Sequence, residues 1–250
     1  MPLTHLGKSR QRLASVLLIL ISLSVQGQTL QHVKRADGQR IALSVYPANG
    51  ECQGNLIISP GAGGSELGYR YLASFFASNG WQAVVVGHQE SGVRALLAHR
   101  SGGTARQALQ SLVQDGDAYR SRLQDIAAAQ KSVLCPAKTQ ILLGHSMGAA
   151  TSFIAAGANN LLQVNQFDQF DAYIALSPTG VGAIFPEHAW QPINKPFLLL
   201  TGTRDATIDH QSYRQRTSAY ADLHAPCTWL GVIKGANHMN FAGRQLTPDM

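Results

Sequence analysis

The sequence predicts an α/β protein with a mostly parallel sheet flanked by helices on both faces. Three observations lead there. From residue 28 onward, short apolar runs alternate with stretches of helical spacing, which is what crossover connections between parallel strands produce. Several of those runs are continuously apolar, as strands buried on both faces must be. The chain has 250 residues, 45% of them hydrophobic and 14% charged, enough for one large domain with its own core.

The elements follow in chain order. Residues 1–27 read as a secretory signal peptide: Lys8, Arg10 and Arg12 precede an apolar run over 13–25, and Gly27 offers a small residue for cleavage. The run is short for a membrane span, which needs about 20 apolar residues. An uncleaved N-terminal anchor is the alternative. Residues 28–250 then form a single domain with no repeat, linker or low-complexity tract. Residues 31–36 and 40–46 alternate apolar and polar around Asp37-Gly38, a hairpin signal. Residues 55–59 are a buried strand that runs into Pro60-Gly61-Ala62-Gly63-Gly64. A helix over 69–78 stops at Asn79-Gly80, and a buried strand covers 81–86. Residues 88–114 show no clean period and are expected to be a loop or a loosely helical excursion. A helix over 117–134, a strand over 139–143, a small-residue helix over 147–156 and a strand over 171–176 follow. Residues 178–192 are again irregular, before a strand at 197–201, a polar-faced helix at 211–223 and a last strand at 228–233.

Composition excludes several functions. The formal net charge is +6, but three of the cations lie in the leader, leaving 17 Lys plus Arg against 14 Asp plus Glu. No basic run with interleaved aromatics remains, so nucleic acid is not an expected partner. Cys52, Cys135 and Cys227 are far apart with no C-x-x-C pair, which argues against a zinc or redox site. No cofactor is expected.

The chemistry is carried by Gly144-His145-Ser146-Met147-Gly148, between a predicted buried strand and a small-residue helix. A strand turning directly into a helix strains the serine backbone and leaves no room for side chains two residues either side. Glycine at both places removes the clash. Ser146 then projects beyond the strand ends, and the Met147 N–H points to where an oxyanion would develop. A serine needs a base, and the base needs an acid to hold its tautomer. Asp205 follows the strand at 197–201, and His238 follows the last strand. The order Ser, Asp, His is the one this strand–turn–helix site requires. The glycine-rich loop after residue 59 would supply a second oxyanion donor, Ala62 or, failing that, Gly63. That loop lacks the Lys-Ser/Thr ending of a phosphate cradle and the spacing of a dinucleotide site.

With these residues the sequence resembles the α/β-hydrolase superfamily across residues 28–250. The Pro-Gly-Ala-Gly-Gly loop and the stretch Gly87-His88-x-Glu90-Ser91 are most similar to the dienelactone-hydrolase-like and platelet-activating-factor-acetylhydrolase-like esterases. Two departures stand out: Pro60 occupies a place where many relatives have histidine, and only 12 residues follow His238, so the packed final helix is expected to be short or missing. The resemblance implies that the strands at 55–59 and 139–143 are adjacent and parallel. Cys52 and Cys135 would then be neighbours able to pair, leaving Cys227 free; three separate small residues are the alternative.

The resulting expectation is an exported serine hydrolase cleaving small-molecule carboxylic esters through an acyl-enzyme, with no stable membrane span after cleavage of the leader. An acyltransferase or peptidase with the same three residues, or a non-catalytic binding protein on the same fold, are the alternatives. His88, Glu90 and Ser91 are candidates for the pocket wall, and Arg94, His99, Arg100 and Arg106 for an anionic substrate group. Asp209 is expected to cap a helix, and Asp168 and Asp171 to lie at the wrong end of the sheet. Pocket shape should depend on residues 88–114 and 178–192.

Overall fold

Asp37 and Gly38 turn the chain between β1 (Thr29–Lys34) and β2 (Arg40–Tyr46), with Gly38 at φ 85° and Lys34 opposite Arg40. A computed structural model describes residues 27–100, 103–137, 139–206 and 211–243. Residues 1–26 of the predicted signal peptide therefore lie outside the described residues, as does the expected cap Asp209. The hairpin is the antiparallel edge of an eight-stranded sheet. Its other strands are β3 (Gly54–Ser59), β4 (Trp81–Gly87), β5 (Gln140–His145), β6 (Ala172–Leu176), β7 (Phe197–Arg204) and β8 (Trp229–Asn237). The order is β1-β2-β4-β3-β5-β6-β7-β8, and every pair from β4 to β8 is parallel.

The strands' period of two divides the apolar runs between two cores. Ile57, Val84, Val86 and Leu142 face one side, covered by α4 (Gly116–Val133) through Tyr119 and Ile126 and by α5 (Met147–Ala155) through Phe153. Leu56, Ile58, Ala83, Val85 and Leu143 face the other, covered by α1 (Arg70–Ser78) and by Phe241. Each buried valine, leucine, isoleucine or phenylalanine among them contributes about 1.5–3 kcal/mol by leaving water. The second core thins towards β8, where Trp229 is 66% exposed.

Of the two less regular stretches, the first takes its loosely helical form and the second departs from expectation. Residues 88–114 hold a 3₁₀ turn (Gln89–Ser91) and two short helices, α2 (Val93–Ala98) and α3 (Ala105–Val113). Their period is masked because Gly92 and Gly103 interrupt the segment, leaving helices of six and nine residues; the capping box of Thr104 with Gln107 starts α3. The helix expected at 211–223 shrinks to α6 (Tyr213–Arg216) and a 3₁₀ turn (Ser218–Ala221). Ser212 and Gln215 cap α6, and the Thr217 hydroxyl donates to the Arg214 carbonyl at 3.0 Å, competing with the helix ladder.

At the amino ends of the parallel strands, Cys52 and Cys135 form a disulfide with a Cα–Cα distance of 6.6 Å. Asn55 reinforces it: its side-chain amide donates to the Cys135 and Ala137 carbonyls and accepts from the Cys135 N–H. Cys227 is free and exposed. Asp171 lies at this end too, accepting from the Gln140 N–H at 2.8 Å.

Candidate active site

The carboxyl end of the sheet is built differently. β5 ends at His145, and Ser146 turns the chain into α5 with φ 55° and ψ −116°, a conformation L-residues rarely adopt. The turn is that tight because a Cβ on Gly144 would collide with the Gly148 carbonyl, and one on Gly148 with the Ser59 carbonyl. Two bonds hold the serine backbone: its N–H donates to the Leu176 carbonyl at 3.0 Å, and its C=O accepts from Ala150 at 3.1 Å.

Asp205 follows β7 and is 2% exposed. One oxygen accepts from the Ser177 and Thr201 hydroxyls at 2.6 and 2.8 Å. The other accepts from His238 Nδ1–H at 3.0 Å and lies 3.5 Å from Nε of the buried Arg216. Burial alone would raise this carboxyl, but the His238 bond, the Arg216 cation and the Ser177 hydroxyl outweigh it and hold it at about 2.

His238 opens a 3₁₀ turn (His238–Ala242) capped reciprocally by Asn237 and Asn240. Its carbonyl accepts from His145 Nε2–H at 3.0 Å, since a carbonyl can only accept. His145 Nδ1 then accepts from the Tyr69 hydroxyl at 2.7 Å, and that oxygen accepts from the Gly61 N–H at 3.0 Å. Burial, with His238 adding to it, pulls the His145 ring down to about 3, so it is uncharged at neutral pH.

Ser146, Met147 and His238 line one cavity of about 760 Å³, within the usual range for small-molecule sites. Among the described residues no hydrogen bond joins the Ser146 hydroxyl to His238, a bond often long before substrate binds. Apolar walls come from Leu109 and Val113 of α3, Tyr119, and Ile184. Thus both irregular stretches do shape the pocket. Of the two loop amides weighed as oxyanion donors, Gly63 N–H is committed to the Ser91 carbonyl at 2.7 Å. Among the described residues no hydrogen bond takes the N–H of Ala62 or Met147. Gly61 abuts the serine, a Cβ there falling 3.3 Å from Ser146 Cβ.

His88 and Ser91 do not line the cavity: they are buried beneath the loop. Ser59 Oγ is 3.0 Å from His88 Nε2, and His88 Nδ1–H donates to Asp125 at 2.8 Å, a second Ser–His–Asp arrangement with no exposed member. Burial and the Arg122 and Arg35 cations lower the His88 pKa well below its usual value. Glu90 pairs with Arg35 at 2.7 Å. Arg94, His99, Arg100 and Arg106 are also absent from the cavity wall; His99 lies 3.7 Å from Asp115. Sequence reasoning missed Arg122, Asp125, Arg216, Tyr69 and the bridging role of His145. The pair Arg122-x-x-Asp125 carried a signal, since it falls on the face of α4 that also holds Tyr119 and Ile126.

A parallel sheet with a strained serine after its middle strand, an acid after β7 and a histidine after β8 defines the architecture. The chain has the α/β-hydrolase fold. No protein-family model matches the sequence, and no curated protein matches it. Solved structures do. The esterase Pf2001 of Pyrococcus furiosus superposes with TM-score 0.57 at 16% identity, covering 85% of this chain and 84% of its own. The dienelactone hydrolase of Anabaena variabilis gives 0.55 at 16% identity, covering 85% and 88%. The thermophilic esterase Est2 of Thermogutta terrifontis gives 0.51 at 18% identity, covering 87% and 85%. At such identities the likeness is one of fold.

Proposed function

We propose that the protein is a serine hydrolase that cleaves carboxylic esters of small molecules through an acyl-enzyme. The observation that carries this is the strained Ser146 in the same cavity as a histidine whose Nδ1–H is fixed on a buried carboxylate. In the proposed reaction His238 Nε2 takes the Ser146 proton as the oxygen attacks the ester carbonyl. The tetrahedral oxyanion accepts hydrogen bonds from the Ala62 and Met147 amides. His238 then gives the proton to the leaving alcohol, and water, activated by the same ring, releases the acid. Asp205 stays ionised and orients the ring. No cofactor enters the cycle.

The apolar wall of Leu109, Val113 and Ile184 favours an uncharged acyl or alcohol group of moderate size. A fluorophosphonate probe should label Ser146, and Ser146→Ala should abolish both labelling and turnover of short p-nitrophenyl esters; undiminished turnover would refute the assignment.

We also propose that the protein is exported, with residues 1–27 removed. The disulfide supports this, because such bonds persist in oxidising compartments. Among the described residues no helix is long and apolar enough to cross a membrane. Detection of a mature chain beginning near residue 28 outside the cytoplasm tests it; an intact N-terminus on cytoplasmic protein refutes it.

A further inference from the structure

Beneath the loop that carries Ala62, an arginine ties the end of β3 to the first turns of α5. Arg122, on α4, is 1% exposed, and its guanidinium donates four hydrogen bonds, all to uncharged oxygens. Nη2 donates to the Ser59 hydroxyl at 2.8 Å and to the Pro60 carbonyl. Nη1 donates to the Ser91 hydroxyl at 2.6 Å. Nε donates to the Thr151 hydroxyl at 2.9 Å, and that hydroxyl donates in turn to the Met147 carbonyl at 2.9 Å.

Burying a guanidinium is costly, and a fold that needed only packing here would be served by leucine or methionine. What the cation supplies instead is a rigid planar fork with fixed donor directions. One arm reaches the residue two before Ala62. Another reaches, through one hydroxyl, the residue whose N–H is the second donor. The loop's own bonds complete the fixation: Gly61 N–H is held by Tyr69 and Gly63 N–H by Ser91, whose side chain Arg122 also grips. Ala62 stands between two tethered amides.

We propose that Arg122 is a positioning residue for ester hydrolysis, a bolt inside the core that fixes the Ala62 and Met147 amides relative to one another. This rests on the assignment of Ser146 as nucleophile. An oxyanion hole works only if both donors converge on the point where charge develops, and fixed donors need no reorganisation during reaction. Misaligned donors would weaken the transition state while leaving ground-state binding in the apolar pocket alone.

The test uses Thr151→Val, Thr151→Ser and Arg122→Lys in the full chain, with hydrolysis of a p-nitrophenyl ester and inhibition by a short alkyl boronic acid, which forms a tetrahedral adduct on the serine. Thr151→Val keeps the shape and removes the hydroxyl. Its kcat should fall about 10-fold and its boronate affinity by a similar factor, with KM within about twofold of wild type. Thr151→Ser should restore most of both. Arg122→Lys, which cannot reach all partners, should lose about 100-fold in kcat with the same pattern. Folded Arg122→Lys and Thr151→Val proteins with wild-type kcat and boronate affinity overturn the proposal. Should Arg122→Lys not fold, the Thr151 pair decides alone: equal activity of the Val and Ser variants overturns it. Failure of the underlying assignment looks different, since hydrolysis would then survive Ser146→Ala and the boronate would not inhibit wild type.

Discussion

Two Ser–His–Asp sets gather at the carboxyl ends of one sheet's strands, and they differ in almost everything except residue type. In Ser146, His238 and Asp205 the histidine bonds its acid at 3.0 Å; in Ser59, His88 and Asp125 the distance is 2.8 Å. Both serines follow or end adjacent strands, since Ser59 pairs with Gly144 in the β3–β5 register. Yet the first set opens on a cavity, with the His238 side chain 22% exposed, while Ser59 and Asp125 are 0% exposed and His88 is 3% exposed. Ser59 also accepts from Arg122, so its own proton points at His88 and one of its two lone pairs is occupied. The bond from histidine to acid therefore says little about reactivity. What separates the sets is access and the strained backbone of Ser146; in the proposed reaction two amide donors add to them.

The largest expected contrast lies between the two acids. Asp205→Asn should lower kcat about 10⁴-fold with the fold retained, because the amide favours the wrong histidine tautomer. Asp125→Asn should cost on the order of 1–3 kcal/mol of stability, since one of His88 and Arg35 loses its acceptor in a sealed site. Its kcat should fall far less. Steady-state kinetics beside urea unfolding of both variants would expose the comparison as false if the two substitutions gave the same profile.

The open set was legible in the sequence because strained turns demand glycine and because strand ends can be counted. Gly144 and Gly148 announced Ser146, and the ends of the late strands located Asp205 and His238. The sealed set was invisible as a set. Its members are 29 and 37 residues apart, His88 to Ser59 and to Asp125, and none occupies a turn that needs a special residue. Only Arg122 and Asp125 among the apolar positions of α4 hinted at it. The disulfide was legible only through the resemblance, which implied that the strands after Cys52 and Cys135 are adjacent and parallel. The failed helix at 211–223 was not, since hydroxyl side chains that compete with helix bonds also populate helix surfaces.

That disulfide joins the strands of both serines at their far ends, which gives a third contrast. Replacing Cys52 and Cys135 with serine opens a link spanning 83 residues and should cost about 2–4 kcal/mol of stability. The site at the opposite end should be unaffected, with kcat unchanged at low temperature. Thiol counting on denatured, unreduced protein should find one thiol, that of Cys227. Three thiols, or an unchanged unfolding midpoint in the double variant, would remove the staple from the account.

The last contrast concerns charge near the open set, and it is silent at neutral pH. In the proposed reaction His238 exchanges a proton in every cycle, whereas His145, whose ring centroid is 4.8 Å away, does not. His145 keeps one nitrogen as an acceptor for Tyr69 and the other as a donor to the His238 carbonyl. Protonation would break the first bond and place a cation beside Arg216 and His238. With the ring held at about 3 when folded, against 6.5 in the unfolded chain, the unfolded state binds more protons between those values. Stability from His145 is therefore complete above about 6.5 and declines as pH falls towards about 3. His145→Gln keeps an acceptor and a donor but cannot titrate. The stability difference, wild type minus His145→Gln, should rise with pH across that window and be flat above it, as read from urea unfolding at a series of pH values. A difference that stays flat below 6.5 would mean that His145 is charged in the folded protein, and the chain from Gly61 through Tyr69 to the His238 carbonyl would have to be drawn differently.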